Sequence, residues 1–202
     1  MIAPSVTNFI VRASYSLDIL SMTRARLILP PLPVSAAGAP THLRALFERL
    51  FAEYHTPILN YLYRLLGDPA LAEDLTQEAF TRAWNARRDL PGLDNPRAWL
   101  YRIATNLARD HVRRARLLAW LPLLGKELAL IEQGPEDVTT ESEQMRRALL
   151  KLTQDYRVPL VLYTCQELSV AEIAATLGIS IDAVKQRLVR ARQQLREAYE
   201  RQ

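Results

Sequence analysis

A chain of 202 residues, 49% hydrophobic and 24% charged, has room for one or two small cores but not for a large catalytic barrel, and its composition is that of a soluble globular protein. No stretch approaches the roughly 20 uninterrupted apolar residues of a membrane span, and the single cysteine, Cys165, cannot form an internal disulfide, which excludes cystine-stapled secreted classes and points to a reducing compartment. The net charge of +4 conceals strongly basic and strongly acidic segments.

Residues 1–40 hold five of the twelve prolines and one acid, Asp18, and read as a disordered extension. The run from Met22 superficially resembles a signal peptide, but three prolines interrupt its short apolar core, and Met22 itself is compatible with being the true start. From Thr41, Leu43, Leu46, Phe47, Leu50, Phe51, Tyr54, Ile58, Leu59 and Leu62 trace one face of a long helix, or of two joined near Pro57. Gly67-Asp68-Pro69 ends it. Leu71 to Asn85 predicts a second helix and Pro96 to about Arg116 a third. Residues 117–145 mix an apolar patch (Leu117 to Leu124) with Gly134-Pro135 and a string of acids, and read as a linker. From Arg146 onward at least three more helices are expected. All six glycines fall between periodic stretches, spacings of three and four dominate, and the fold class is all-α.

Counted by segment, residues 97–116 carry six Arg against Asp110 alone, 117–145 carry Lys126 against six acids, and 185–202 carry six bases against Glu197 and Glu200. Two basic helices separated by an acidic linker suggest two places to hold phosphates. Arg102, Asn106, Arg109, Arg113 and Arg116 fall within an arc of roughly 80°, opposite Leu100, Ile103, Ala104 and Leu107. A solvated outer face would also explain that arc, but arginine alone, without lysine, favours bidentate phosphate and base contacts.

Leu168 to Arg192 follows helix-turn-helix grammar. Ala174 is small where two helices cross, Gly178 lies at the turn, and Ile173, Leu177, Ile179 and Val184 supply a little core. Ser169 and Ser180 occupy N-cap positions, and Glu172 completes a capping box with Ser169. In the second helix Val184, Leu188, Ala191 and Leu195 point inward. That leaves Lys185, Gln186, Val189, Arg190, Gln193 and Arg196 on an outer face suited to a major groove, with Ser180, Arg187 and Arg192 at the flanks as phosphate contacts.

These residues carry a family resemblance. AEDLTQEAFTRAW (72–84) and NPRAWLYRIATNLARDHVRR (95–114) resemble region two, and the stretch from Arg146 through LSVAEIAATLGISIDAVKQRLVRARQQLREAY resembles region four, of the extracytoplasmic-function (ECF) sigma factors of the sigma-70 type. The resemblance implies two small helical domains joined by a flexible linker: 41–116, binding core polymerase and the minus-ten element, and 146–202, reading the minus-thirty-five element as duplex. It implies that Asp74, Gln77, Glu78 and Arg82 dock on the clamp helices of the polymerase largest subunit. It further implies that Arg97, Arg102, Asn106, Arg109 and Arg113 hold and read the melted minus-ten strand, with Asn106 as edge reader and the loop Arg87 to Asn95 as pocket wall. For the minus-thirty-five element the residues are those of the outer face and its flanks: Ser180, Lys185, Gln186, Arg187, Val189, Arg190 and Arg192. Trp84 and Trp99 match aromatic positions but are expected to be structural.

The implied partners are bacterial core RNA polymerase, promoter DNA and an anti-sigma factor, in the cytoplasm, with no small-molecule substrate. No cofactor, metal or catalytic residue is expected: His42, His55 and His111 lack HExxH spacing, Cys165 lacks a CxxC partner, and no glycine-rich phosphate loop is present. The alternative is a helix-turn-helix regulator that binds duplex without a sigma role. Asp182 departs from the family, which often has a small residue nearby. An acid there suits the helix dipole but repels a phosphate.

Overall fold

The computed structural model describes residues 41–119 and 141–201, so the expectations for the N-terminal extension and for most of the linker lie outside the described residues. The described residues form seven α-helices: α1 Thr41–Leu66, α2 Pro69–Asn85, α3 Pro96–Ala119, α4 Glu141–Lys151, α5 Gln154–Thr164, α6 Val170–Leu177 and α7 Ile181–Glu200. The fold is all-α, as expected. Helix α3 runs on through Leu117 to Ala119, and α4 takes in Glu141 to Met145, so both reach into the segment read as linker.

Helix α1 is continuous across Pro57, although a proline there removes one i to i−4 hydrogen bond. Its inner face, Phe47, Leu50, Phe51, Ile58, Leu62 and Leu65, is buried. That much apolar area outweighs the lost bond. Gly67 ends the helix at φ +77, a left-handed conformation that favours glycine. Asp68 then caps α2 by accepting from the Leu71 N–H at 3.1 Å, with Pro69 in the first turn. Phe80 and Trp84 of α2 meet Phe51 and Phe47 edge-on at 4.8 and 5.0 Å between ring centroids. Trp84 is thus buried in the core, as expected of a large aromatic, while Trp99 is only partly buried.

A short 3-10 turn at Leu90–Gly92, anchored by buried Leu90, leads to α3. Asn95 caps that helix by accepting from the Ala98 N–H at 2.8 Å. Buried Tyr61 of α1 donates to Thr105 Oγ1 at 2.7 Å, while the Thr105 hydroxyl donates to the Tyr101 carbonyl. Burial pushes both tyrosine hydroxyls up from their usual range. They remain neutral donors across the working pH range.

The helix-turn-helix matches its sequence grammar closely. Ser169 and Glu172 form the capping box on α6, Gly178 turns at φ +65, and Ser180 accepts from the Ala183 N–H to cap α7. Ile173, Val184, Leu188, Ala191 and Leu195 are buried. Helices α4 to α7 close around these residues, with α7 packed on α4, α5 and α6.

The two helical groups, α1 to α3 and α4 to α7, pack directly on each other: α1 lies against α4 and α5, and α3 against α6. One cluster of buried side chains runs through both. Polar staples accompany it. Arg146 donates to the Gly67 carbonyl at 3.3 Å and Arg157 to the Leu65 carbonyl. The Arg97 guanidinium and the Tyr101 hydroxyl donate to the main chain and side chain of buried Gln166 respectively, and Asn95 donates to Glu172 at 2.8 Å.

Candidate nucleic-acid interface

On α3, Arg102, Asn106 and Arg113 are exposed and Arg109 half-exposed, while Leu100, Ala104 and Leu107 are buried. The arc read from the sequence is therefore one outward face. Arg113 holds a 3.0 Å ion pair with Asp110 while its side chain stays 72% exposed, a geometry weak enough to exchange for a phosphate. Arg97 stands apart from that face. It lies at the start of α3 with its guanidinium committed to the Gln166 carbonyl of the other helical group.

The loop read as a pocket wall does border a hollow. A cavity of about 400 Å³ lies between α1 and the start of α3, lined by Tyr54, Leu90, Asp94, Asn95 and Arg97 among others. The contribution of α1 to this hollow, including Leu46, Arg49 and Tyr54, was missed from sequence. On an amphipathic helix those positions look like ordinary boundary residues, and only the packing of the loop against α1 marks them.

On α7 the outer face stands as read: Lys185, Gln186, Val189, Arg190, Gln193 and Arg196 are exposed, and Val189 is 62% exposed. Ser180 caps the helix with its hydroxyl oxygen and Lys185 pairs with Asp182 at 3.5 Å. The acid at 182 is thereby partly neutralised by its own helix. The two flanking arginines differ from the rest. Arg187 leans toward Asp155 at 3.5 Å, and Arg192 lies over the Tyr163 ring at 5.3 Å, on the packed side of the helix. Neither is free for a phosphate without first leaving its partner.

On α2, Asp74, Gln77, Glu78 and Arg82 are all exposed, with Leu75, Ala79, Phe80 and Ala83 turned inward. Glu78 and Arg82 form a 2.7 Å ion pair one turn apart. The four residues make a single polar surface on a helix separate from those that carry the two arginine faces.

The comparisons with known proteins bear on what these surfaces serve. Residues 50–117 match the family model Sigma-70 region 2, and residues 142–195 match Sigma-70, region 4. The ECF RNA polymerase sigma factor SigW of Bacillus subtilis is 36% identical over 159 residues, covering 71% of this chain and 83% of that protein. The Bacillus subtilis RNA polymerase sigma factor YlaC is 35% identical over 155 residues, covering 74% and 90%. The chain belongs to the ECF sigma factors of the sigma-70 family. The ECF sigma factor SigE of Mycolicibacterium smegmatis is 34% identical over 157 residues; the match spans 75% of this chain and 60% of that protein. Among solved structures, this sigma factor is similar in fold to RpoE of Bartonella quintana in its complex with the anti-sigma factor NepR, with a TM-score of 0.61 at 22% identity over 76% of this chain and 96% of that one. It is also similar to CnrH in complex with the cytosolic domain of CnrY, with a TM-score of 0.54 at 26% identity over 95% and 94% of the two chains. As a sigma factor it directs promoter-specific transcription initiation with RNA polymerase.

Proposed function

We propose that the surface of Asp74, Gln77, Glu78 and Arg82 docks on core polymerase, that Arg102, Asn106, Arg109 and Arg113 hold and read the melted minus-ten strand, and that Lys185, Gln186, Val189 and Arg190 read the minus-thirty-five duplex. Arg97, Ser180, Arg187 and Arg192 join the two DNA surfaces once their present partners are released. The observation that carries this reading is the presence, on one chain matching both regions, of two outward basic helix faces, α3 and α7. Arginine and glutamine have donors for purine edges and Val189 an apolar surface for a thymine methyl. The hollow beside Asn95 suits a single unstacked base. The two domains are the helical groups α1 to α3 and α4 to α7, and the protein acts in the cytoplasm as a non-enzymatic factor held in check by an anti-sigma partner.

The two promoter elements lie roughly 25 base pairs apart, about 85 Å of duplex at 3.4 Å per step. In the packed arrangement Arg109 and Arg113 line the same groove as Gln186 and Arg190. Reading both elements therefore requires the two helical groups to separate, and polymerase is the partner that would hold them apart. The test compares affinity for a promoter duplex with and without core polymerase. Weak binding alone and tight binding with polymerase is the expected pair, and a Gln77→Ala, Glu78→Ala double variant should weaken polymerase binding with unchanged helicity. Tight duplex binding alone, indifferent to polymerase, would favour a simple helix-turn-helix regulator.

A further inference from the structure

The packed arrangement creates a groove that neither domain has alone. It encloses about 880 Å³ between the second half of α3, the first turn of α5 and the first half of α7. Arg109, Arg113 and Arg116 line one wall, Arg187 and Arg190 the other, and Asp155 is the lone carboxylate on the lining. Arg109, Arg116 and Arg190 have no ion pair among the described residues. Closing the two groups therefore brings like charges together, which is unfavourable unless something negative sits between them.

A further feature suits an anion. The first turn of α5, an 11-residue helix, lines the groove, and its N-cap Thr153 makes no side-chain capping bond, so main-chain N–H groups are left available there beside the arginines. The space is in the range of small-ligand sites. It has room for a short chain of phosphates.

We propose that this groove binds a polyphosphate anion, either the phosphate chain of a nucleotide or a short inorganic polyphosphate, and that the bound anion holds the sigma factor in its closed form. An anion that bridges both arginine walls binds the closed form better than the open one, and by linkage shifts the population toward it. Because Arg109, Arg113 and Arg190 are also the proposed promoter contacts, the inference rests on that reading for its consequence, though not for the binding itself. A bound polyphosphate would compete with promoter loading.

The test titrates the full chain with sodium tripolyphosphate and with ATP at fixed ionic strength, with sulfate as the matched control, following binding by calorimetry and compaction by small-angle scattering. One-to-one tripolyphosphate binding is expected, lost at least tenfold in Arg113→Glu and in Arg190→Glu, one from each wall, and retained in Arg44→Ala, a surface arginine on α1 away from the groove. Circular dichroism melts confirm that the variants fold. ATP binding at least tenfold tighter than tripolyphosphate would assign the site to nucleotides, and equal affinity would assign it to inorganic polyphosphate; both support the proposal. Sulfate matching tripolyphosphate, or binding that survives a charge reversal on either wall, overturns it. The sigma reading is scored separately, by polymerase-dependent binding to a promoter duplex with neither nucleotide nor polyphosphate present, so the two can fail independently.

Discussion

The guanidinium of Arg157 on α5 donates to the Leu65 carbonyl in the last turn of α1, 92 residues earlier in the chain. The same group donates to the Leu150 and Leu152 carbonyls at the end of α4. Helix C-termini leave carbonyls unpaired and carry partial negative charge, so one planar cation satisfies two helix ends from different halves of the molecule. Burial, with Arg116 nearby, pushes its pKa down to about 10, which leaves it charged at neutral pH. Lysine cannot match three carbonyls with one ammonium in this geometry. Arg157→Lys should lower unfolding free energy in urea by about 2 to 4 kcal/mol, from carbonyls left buried without donors, and should expand the chain in solution. A change within 0.5 kcal/mol, about the scatter of a surface substitution, would show that the staple contributes little.

Gly67 is constrained twice. Its φ of +77 is unfavourable for any side chain, and a Cβ there would stand 2.6 Å from Leu150 Cδ1. Gly67→Ala should cost about 2 to 4 kcal/mol, combining left-handed strain with overpacking. Because the shortest approach is to the end of a flexible side chain, the cost measured in a Leu150→Ala background should fall to about 1 to 2 kcal/mol, chiefly the strain, with the 3.0 Å approach to Arg146 Nη1 remaining. Equal costs in both backgrounds would mean that the interface yields without resistance.

His55 packs against Phe51 at 4.8 Å and Phe80 at 5.8 Å, and its buried Nδ1 has no hydrogen-bond partner among the described residues. Burial lowers its pKa from the usual 6.5, opposed by the charge of Glu73. The folded form therefore holds a neutral imidazole where the unfolded chain binds a proton. Stability contributed by this residue is present above pH 6.5 and declines as pH falls below it. His55→Phe should flatten the decline in melting temperature between pH 7 and 5; a profile parallel to the parent chain would rule the residue out as its source.

Arg190 projects from the exposed face of α7 with no ion pair among the described residues. Arg190→Ala should cost about 1 to 3 kcal/mol of discrimination at one base of the minus-thirty-five element, the worth of a bidentate base contact. Binding measured across single-base variants separates the cases. A uniform loss would assign Arg190 to phosphate instead.

The helix-turn-helix was legible because its signals are local. Ser169 with Glu172, Gly178, and the inward row Val184, Leu188, Ala191 and Leu195 each follow from caps and periodicity within a few residues. The outward arc of α3 was legible for the same reason. The packing of one helical group on the other was not. It depends on Arg146, Arg157 and Arg97 reaching main-chain carbonyls 79, 92 and 69 residues away, and a carbonyl acceptor leaves no mark on the sequence. Arg192 shows the same limit: its contact with the Tyr163 ring, 29 residues earlier, leaves no mark on the sequence.

The most direct measurement is run-off transcription with the purified chain, bacterial core polymerase and a promoter library randomised upstream of the start site, with the transcripts sequenced. Two enriched elements at a fixed spacing, both dependent on this chain, are the result that promoter reading by α3 and α7 predicts. Transcripts without a second upstream element, or no dependence on the added chain, would contradict it.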